Sequence, residues 1–219
     1  YTCASTLVGV SGTARVTLPA GHQVVEPDAL AYLARLGAPI PASGNRGGTL
    51  AIGVSGVESL SEVAATVRTT TAVANGQAGL AYGGTPAWKA LSGPAWICGL
   101  RENDGDRSNL ALQNAGAPGE GDVVLRVTVC SGDSVACVVR PDVSLPPGGF
   151  TQVGGILGEH GMTNGYVKVE RVGGTAPWFA YGVVNDQANS DGSFVPPQPA
   201  STAAVTGLTF NATRALFSI

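Results

Sequence analysis

Val205-Thr206-Gly207-Leu208, a short interval, then Arg214-Ala215-Leu216-Phe217-Ser218-Ile219 form the end of the sequence and decide how the rest is read. An earlier stretch has the same grammar: Ile97-Cys98-Gly99-Leu100, a turn cluster, then Arg107-Ser108-Asn109-Leu110-Ala111-Leu112. In both, an apolar-x-Gly-Leu string precedes an arginine that is followed by apolar residues at the third and fifth positions. Alternation of this kind is the period of a β-strand. The tail therefore predicts a strand that stands outside any domain of its own.

An internal repeat explains its position. Thr17-Leu18-Pro19-Ala20-Gly21 matches Ser144-Leu145-Pro146-Pro147-Gly148, and Gly48-Thr49-Leu50-Ala51-Ile52 matches Gly165-Tyr166-Val167-Lys168-Val169. Asn75-Gly76-Gln77-Ala78-Gly79-Leu80 matches Ser190-Asp191-Gly192-Ser193-Phe194-Val195. The first copy is longer by about ten residues, placed in the Pro/Gly-rich interval 37–47, where a loop insertion is tolerated.

Within the second copy, short β-branched runs predict strands near 107–113, 123–130, 137–145, 165–172, 178–185 and 193–195. Val123, Leu125, Val127 and Val129 alternate with Val124, Arg126 and Thr128, so one face of the sheet should lie on a core. One short helix interrupts the pattern, with Pro27 in its first turn, Asp28 suited to its amino-terminal end, and Gly37 at its close. The expected fold class is all-β: two tandem β-sandwich domains at 1–90 and 91–200, the first incomplete, followed by a donor segment at 201–219.

The incompleteness follows from comparing the two copies. The second opens with the strand near 107–113, whereas the first begins already past it and lacks that strand, and by one reading two. A sandwich short of a strand exposes unpaired N–H and C=O groups, each costing roughly 1 to 3 kcal/mol when buried. The tail is that missing piece at the far terminus. The link at 201–204 spans at most about 14 Å at the extended rise per residue. Donation to the next molecule is thus expected, with Val205, Leu208, Phe210, Phe217 and Ile219 inserted and a bulge near Arg214. A head-to-tail contact of this kind propagates into a fibre.

Composition narrows the class further. The chain has 219 residues, 44% apolar and only 12% charged, which is not a disordered composition. A net charge of -3 with lysine only at Lys89 and Lys168 leaves no basic stripe, so nucleic acid is excluded as a partner. No apolar run reaches membrane-spanning length and no leader precedes Tyr1, as expected of a mature exported product. Cys130 and Cys137 flank a six-residue hairpin tip and predict a disulfide. Cys3 and Cys98 then remain as a second pair, within the chain or between neighbours. Oxidised cysteines point to an extracellular location.

Leu145-Pro146-Pro147-Gly148-Gly149-Phe150-Thr151-Gln152, Thr163-Asn164-Gly165-Tyr166-Val167-Lys168-Val169-Glu170 and Ala180-Tyr181-Gly182-Val183-Val184-Asn185-Asp186 carry a resemblance. With Asp191-Gly192-Ser193-Phe194-Val195-Pro196 they resemble the immunoglobulin-like repeat modules of secreted bacterial proteins. The likeness covers the second copy well and the first weakly, and it implies fold and export rather than an activity. Separately, the donated strand is similar to the logic of strand-complemented pilus subunits, which usually donate an amino-terminal strand.

Chemistry is sparse. His22 and His160 lie in or beside Gly-rich connectors and form no metal or nucleophile motif. Glu102 to Asp106 and Asn185 to Asp191 concentrate oxygen ligands suited to calcium, but their spacing is that of turns. Thr163-Asn164-Gly165 and Ser190-Asp191-Gly192 read as hairpin turns. Asn211-Ala212-Thr213 matches a glycosylation acceptor, hindered if the strand is paired. Trp88, Trp96, Trp178, Phe179 and Tyr181 suit packing better than a sugar-binding face. The expectation is a non-enzymatic, cofactor-free structural subunit of an extracellular filament whose partners are copies of itself. The alternative is a secreted monomeric adhesion or carbohydrate-binding module.

Overall fold

The computed structural model of the chain describes residues 2–7, 10–42, 48–59 and 62–200, with side chains from residue 12 onward. The tail, including Val205, Leu208, Phe210, Arg214, Phe217 and Ile219, lies outside the described residues, as do residues 43–47 of the 37–47 insertion. The chain is all-β with antiparallel pairing throughout. Its first half contributes β1 (Thr2–Leu7), β2 (Val10–Arg15), helix α1 (Ala29–Arg35), β3 (Gly48–Gly53), β4 (Thr66–Val73) and β5 (Gly76–Gly83). The second contributes β6 (Ala95–Arg101), β7 (Asp106–Asn114), β8 (Val123–Ser131), β9 (Cys137–Val139) and β10 (Val143–Leu145). It continues through β11 (Phe150–Val153), β12 (Asn164–Gly173), β13 (Trp178–Asp186), β14 (Gly192–Val195) and β15 (Gln198–Pro199).

The alternation read from the sequence is the alternation of burial. Val123, Leu125, Val127 and Val129 are buried while Val124, Arg126 and Thr128 stay half-exposed. β12 repeats this with Gly165, Val167 and Val169 inward. Two sheets close over these residues, one ordered β10-β8-β12-β6-β15 with β9 also on β8, the other β11-β7-β13-β14. Trp178, Ile97, Leu100, Leu110, Leu112 and Leu157 fill the space between them. Each such side chain contributes roughly 1.5 to 3 kcal/mol by leaving water.

Several boundaries differ from expectation, each for a local reason. The strand expected at 137–145 is two, because Pro141 has no N–H for the ladder and breaks the run between β9 and β10. Arg126 grips Asp142 just beyond with Nε and Nη2, each at 3.0 Å, and holds that carboxyl below its usual range by hydrogen bonding. Strand β11 is one that the sequence pattern did not predict, and after it Gly158–His160 forms a short 3-10 turn. Asn164-Gly165 opens β12 rather than forming a hairpin turn. A Cβ on Gly165 would lie 2.4 Å from the Cys130 carbonyl oxygen, so glycine is required there by close approach.

Helix α1 begins two residues later than Pro27. Asp28 is its cap, its Oδ1 accepting from the Ala31 N–H at 2.9 Å, and Gly37 follows it at φ +95. The helix buries Leu33 against Ala14 and Ala38, with Ile40 beside them. This small cluster contrasts with the nineteen-residue core of the second half.

One buried polar residue stitches the sandwich rim. Asn114 is fully buried; its Nδ2 donates to the carbonyls of Leu145 at 2.9 Å and Gly121 at 3.1 Å, and its Oδ1 accepts from Gly116 N–H at 2.8 Å. Asn114→Ala strands these backbone groups, each worth roughly 1 to 3 kcal/mol when left unpaired in the interior. The expected result is a loss of about 2 to 4 kcal/mol in urea unfolding with the m-value unchanged.

Candidate subunit interface

The pairing in the first half reproduces part of the pairing in the second. β1 lies between β2 and β3, as β8 lies between β9/β10 and β12. β4 pairs with β5 as β13 pairs with β14. In the sandwich, β12 and β13 each have a further neighbour, β6 and β7 respectively, and β7 is flanked in turn by β11. Among the described residues, β3 pairs with β1 alone and β4 with β5 alone. Two strand positions filled in the second half, one in each sheet, thus have no counterpart among the described residues of the first.

The side chains register these vacancies. Val167 and Val169 are 0% exposed, whereas Leu50 and Ile52, which stand at the matching positions of β3, are 37% and 40% exposed. Val67 on β4 is 36% exposed, and β4 is exposed along nearly all its length. The 127-residue offset that aligns Leu18 with Leu145 (145 − 18) also aligns Gln23 to Glu26 with β11. That segment is in no strand, and its Val24 and Val25 are exposed. Unpaired edges beside exposed apolar side chains are templates for another strand.

β6 explains what the apolar-x-Gly-Leu string is for. Its register against β12 shifts between Ile97 and Leu100, and Gly99 sits in the left-handed region at φ +79. This is a β-bulge, which lets Ile97 and Leu100 both face the core while Cys98 and Gly99 face out. β7, in contrast, runs in unbroken register past Arg107. The bulge expected near Arg214 falls outside the described residues; in the matching part of the sandwich the irregularity belongs to the glycine.

Other expected site residues are distributed as follows. Cys130 and Cys137 form the disulfide across the β8–β9 hairpin. Cys98 carries a free, exposed thiol, and its expected partner Cys3 lies on β1, where side chains are not described. The two oxygen-rich clusters are turns held by their own backbone. Asn103 Oδ1 accepts from the N–H groups of Gly105 and Asp106, and Asp186 Oδ1 from those of Ala188 and Asn189. Among the described residues no group of three or more His, Cys, Asp or Glu is placed to hold a metal. A shallow hollow of about 190 Å³ by Thr17, Leu18, Ser55 and Val57 has no acid, base or imidazole in its wall.

The aromatics do not share one face. Trp178 is fully buried, and Trp88 is exposed on a separate short turn. Tyr181, on β13, instead meets Phe194 at 5.2 Å and Tyr82 at 6.2 Å between ring centroids, so this cluster joins β5 to β13 and β14. The Gly79 N–H donates to Asp191 Oδ1 at 3.0 Å in the same seam. The contact engages β5; among the described residues the other edge of β4 has no partner strand.

No protein-family model, no curated protein and no solved structure matches the chain. The likeness to secreted immunoglobulin-like modules rests on the quoted strings alone.

Burial pushes the Tyr181 hydroxyl up to about 12, with the neighbouring Tyr82 adding to the effect, and burial raises Tyr82 as well. Below the ordinary value of 10.0 both folded and unfolded chains keep the proton. Between pH 10 and about 12 the unfolded chain releases it while the folded chain does not, so stability falls as pH rises through that window. The melting temperature of the native chain should drop across this range, and Tyr181→Phe should flatten the decline.

Proposed function

We propose that the chain is a structural subunit of an extracellular filament, in which the tail of one copy completes the first sandwich of the next. In this reading the chain is two tandem immunoglobulin-like sandwiches, the first open and the second closed. The single observation that carries it is the contrast at matched positions: Leu50 and Ile52 exposed, Val167 and Val169 buried. The Cys130–Cys137 disulfide is the supporting sign for an extracellular location. The reading assigns no catalytic role, no cofactor and no nucleic-acid partner.

The route of the tail is argued from the repeat. The first half passes to β6 through the eleven residues 84–94, and β14 passes to Val205 through the nine residues 196–204. Links of similar length imply a similar step from one module to the next. A repeated head-to-tail step reaches a third module, which in a polymer is the first half of another copy.

Linker length alone does not force this outcome. The Ala200 N–H donates to the Pro94 carbonyl at 2.9 Å, so the tail departs from the point where the chain enters the second half. That contact favours the second reading, a secreted monomeric adhesion or carbohydrate-binding module whose tail closes its own first half. Negative-stain microscopy of native material separates the two. Filaments are expected; a monomeric size-exclusion peak with full stability and no polymer would sink the filament reading.

A further inference from the structure

Resting on the reading that the tail docks in a first sandwich, we infer that it donates two strands, one to each sheet. Val205 to Leu208 extends the β2-β1-β3 sheet along β3. Arg214 to Ile219 lies along β4, between it and Gln23 to Glu26.

The argument starts from the bulge. Ile97-Cys98-Gly99-Leu100 faces the core twice in four residues only because Gly99 takes φ +79. Val205-Thr206-Gly207-Leu208 has glycine at the same place and apolar residues at the same two flanks. A simple alternating strand has no use for that glycine, which weakens a ladder by its backbone entropy. The string is therefore the signature of a β6-type strand rather than of a generic edge strand.

The next element agrees. Leu110 and Leu112, three and five residues beyond Arg107, are 0% exposed between β13 and β11. Phe217 and Ile219 stand three and five residues beyond Arg214. The interval between the leucine of the string and the arginine is six residues, 101–106, in the sandwich and five, 209–213, in the tail. Phe210 falls in that interval.

The pairing of the second half fixes the register. Ile97 stands opposite Val167, whose match is Leu50, so Val205 stands opposite Leu50. Leu110 stands opposite Gly182, which faces Val195. Leu80, the match of Val195, faces Thr69, so Phe217 stands opposite Thr69. Both sheets are completed at once, and each vacancy is filled by the residues whose pattern fits it.

Directly opposed strand residues lie close enough for a disulfide. The test uses the full chain carrying Cys3→Ser and Cys98→Ser, with either Leu50→Cys plus Val205→Cys or Thr69→Cys plus Phe217→Cys. Mild oxidation of filaments should give a reductant-sensitive ladder of multimers on denaturing gels from both double variants, and none from the four single variants. A ladder from the Thr69/Phe217 pair alone overturns the two-strand inference and leaves the filament reading intact. Cross-links from both pairs confined to monomers uphold two strands and remove the filament. Cross-links from neither pair overturn both.

Discussion

A chain ending at Ala200 should fold its second half and form no polymer. The cut keeps β15 and the Ala200–Pro94 hydrogen bond, so every residue of the larger core stays in place. What goes is the set of apolar side chains Val205, Leu208, Phe217 and Ile219. At roughly 1.5 to 3 kcal/mol each, their burial is worth on the order of 6 to 12 kcal/mol before entropy losses. A term of that size is enough to shift the population from filament to monomer. Sedimentation and microscopy check the polymer, and hydrogen exchange checks the halves. β3 and β4 should lose protection in the truncated chain, while β8 and β12 keep theirs. Filaments from the truncated chain would dispose of the mechanism.

The second large effect is a contrast between matched positions. Ile52→Glu puts a carboxylate on a side chain already 40% exposed, so the isolated chain should melt within about 0.5 kcal/mol of the parent. It should nevertheless fail to assemble, because docking would bury an unpaired charge. Val169→Glu places the same group where exposure is 0%, between two packed sheets. A buried unpaired carboxylate costs several kcal/mol, so this variant should lose its cooperative transition near neutral pH. Circular dichroism melts of the two variants, side by side with the parent, measure the difference. Equal destabilisation at both positions would mean that the first half is already closed.

Period two carried most of the fold. Val123 through Val129 announced their inward face because a half-buried strand leaves no other pattern. The hairpin disulfide was legible for a similar reason, since seven residues of separation leave room for one tight turn. What the pattern could not supply was backbone context. Gly165 looked like a turn and is a contact point beneath Cys130, a distinction made by the strand opposite. β11 was hidden because its partner β7 lies far back in the chain and none of its own four residues is fully buried.

The vacant positions were legible only as a likeness between copies. Leu50, Ile52 and Val67 are ordinary strand residues when read alone. Their exposure has meaning beside Val167, Val169 and Ala180, which the same pairing scheme buries. The bulge glycine was visible as a repeated letter at Gly99 and Gly207, but its purpose required the φ angle at Gly99.

The hydrogen bond from Ala200 to Pro94 brings the entry and exit of the second sandwich to neighbouring atoms. In the proposed fibre, pulled from its ends, force would enter at one of these atoms and leave at the other. It would open β15 from β6 like a zipper, one main-chain bond at a time, starting with Ala200–Pro94 and moving to the Gln198–Trp96 pair. The apolar side chains packed between the two sheets behind them would hang to one side of the line of tension, giving each subunit a short, reversible slack that yields before its core does.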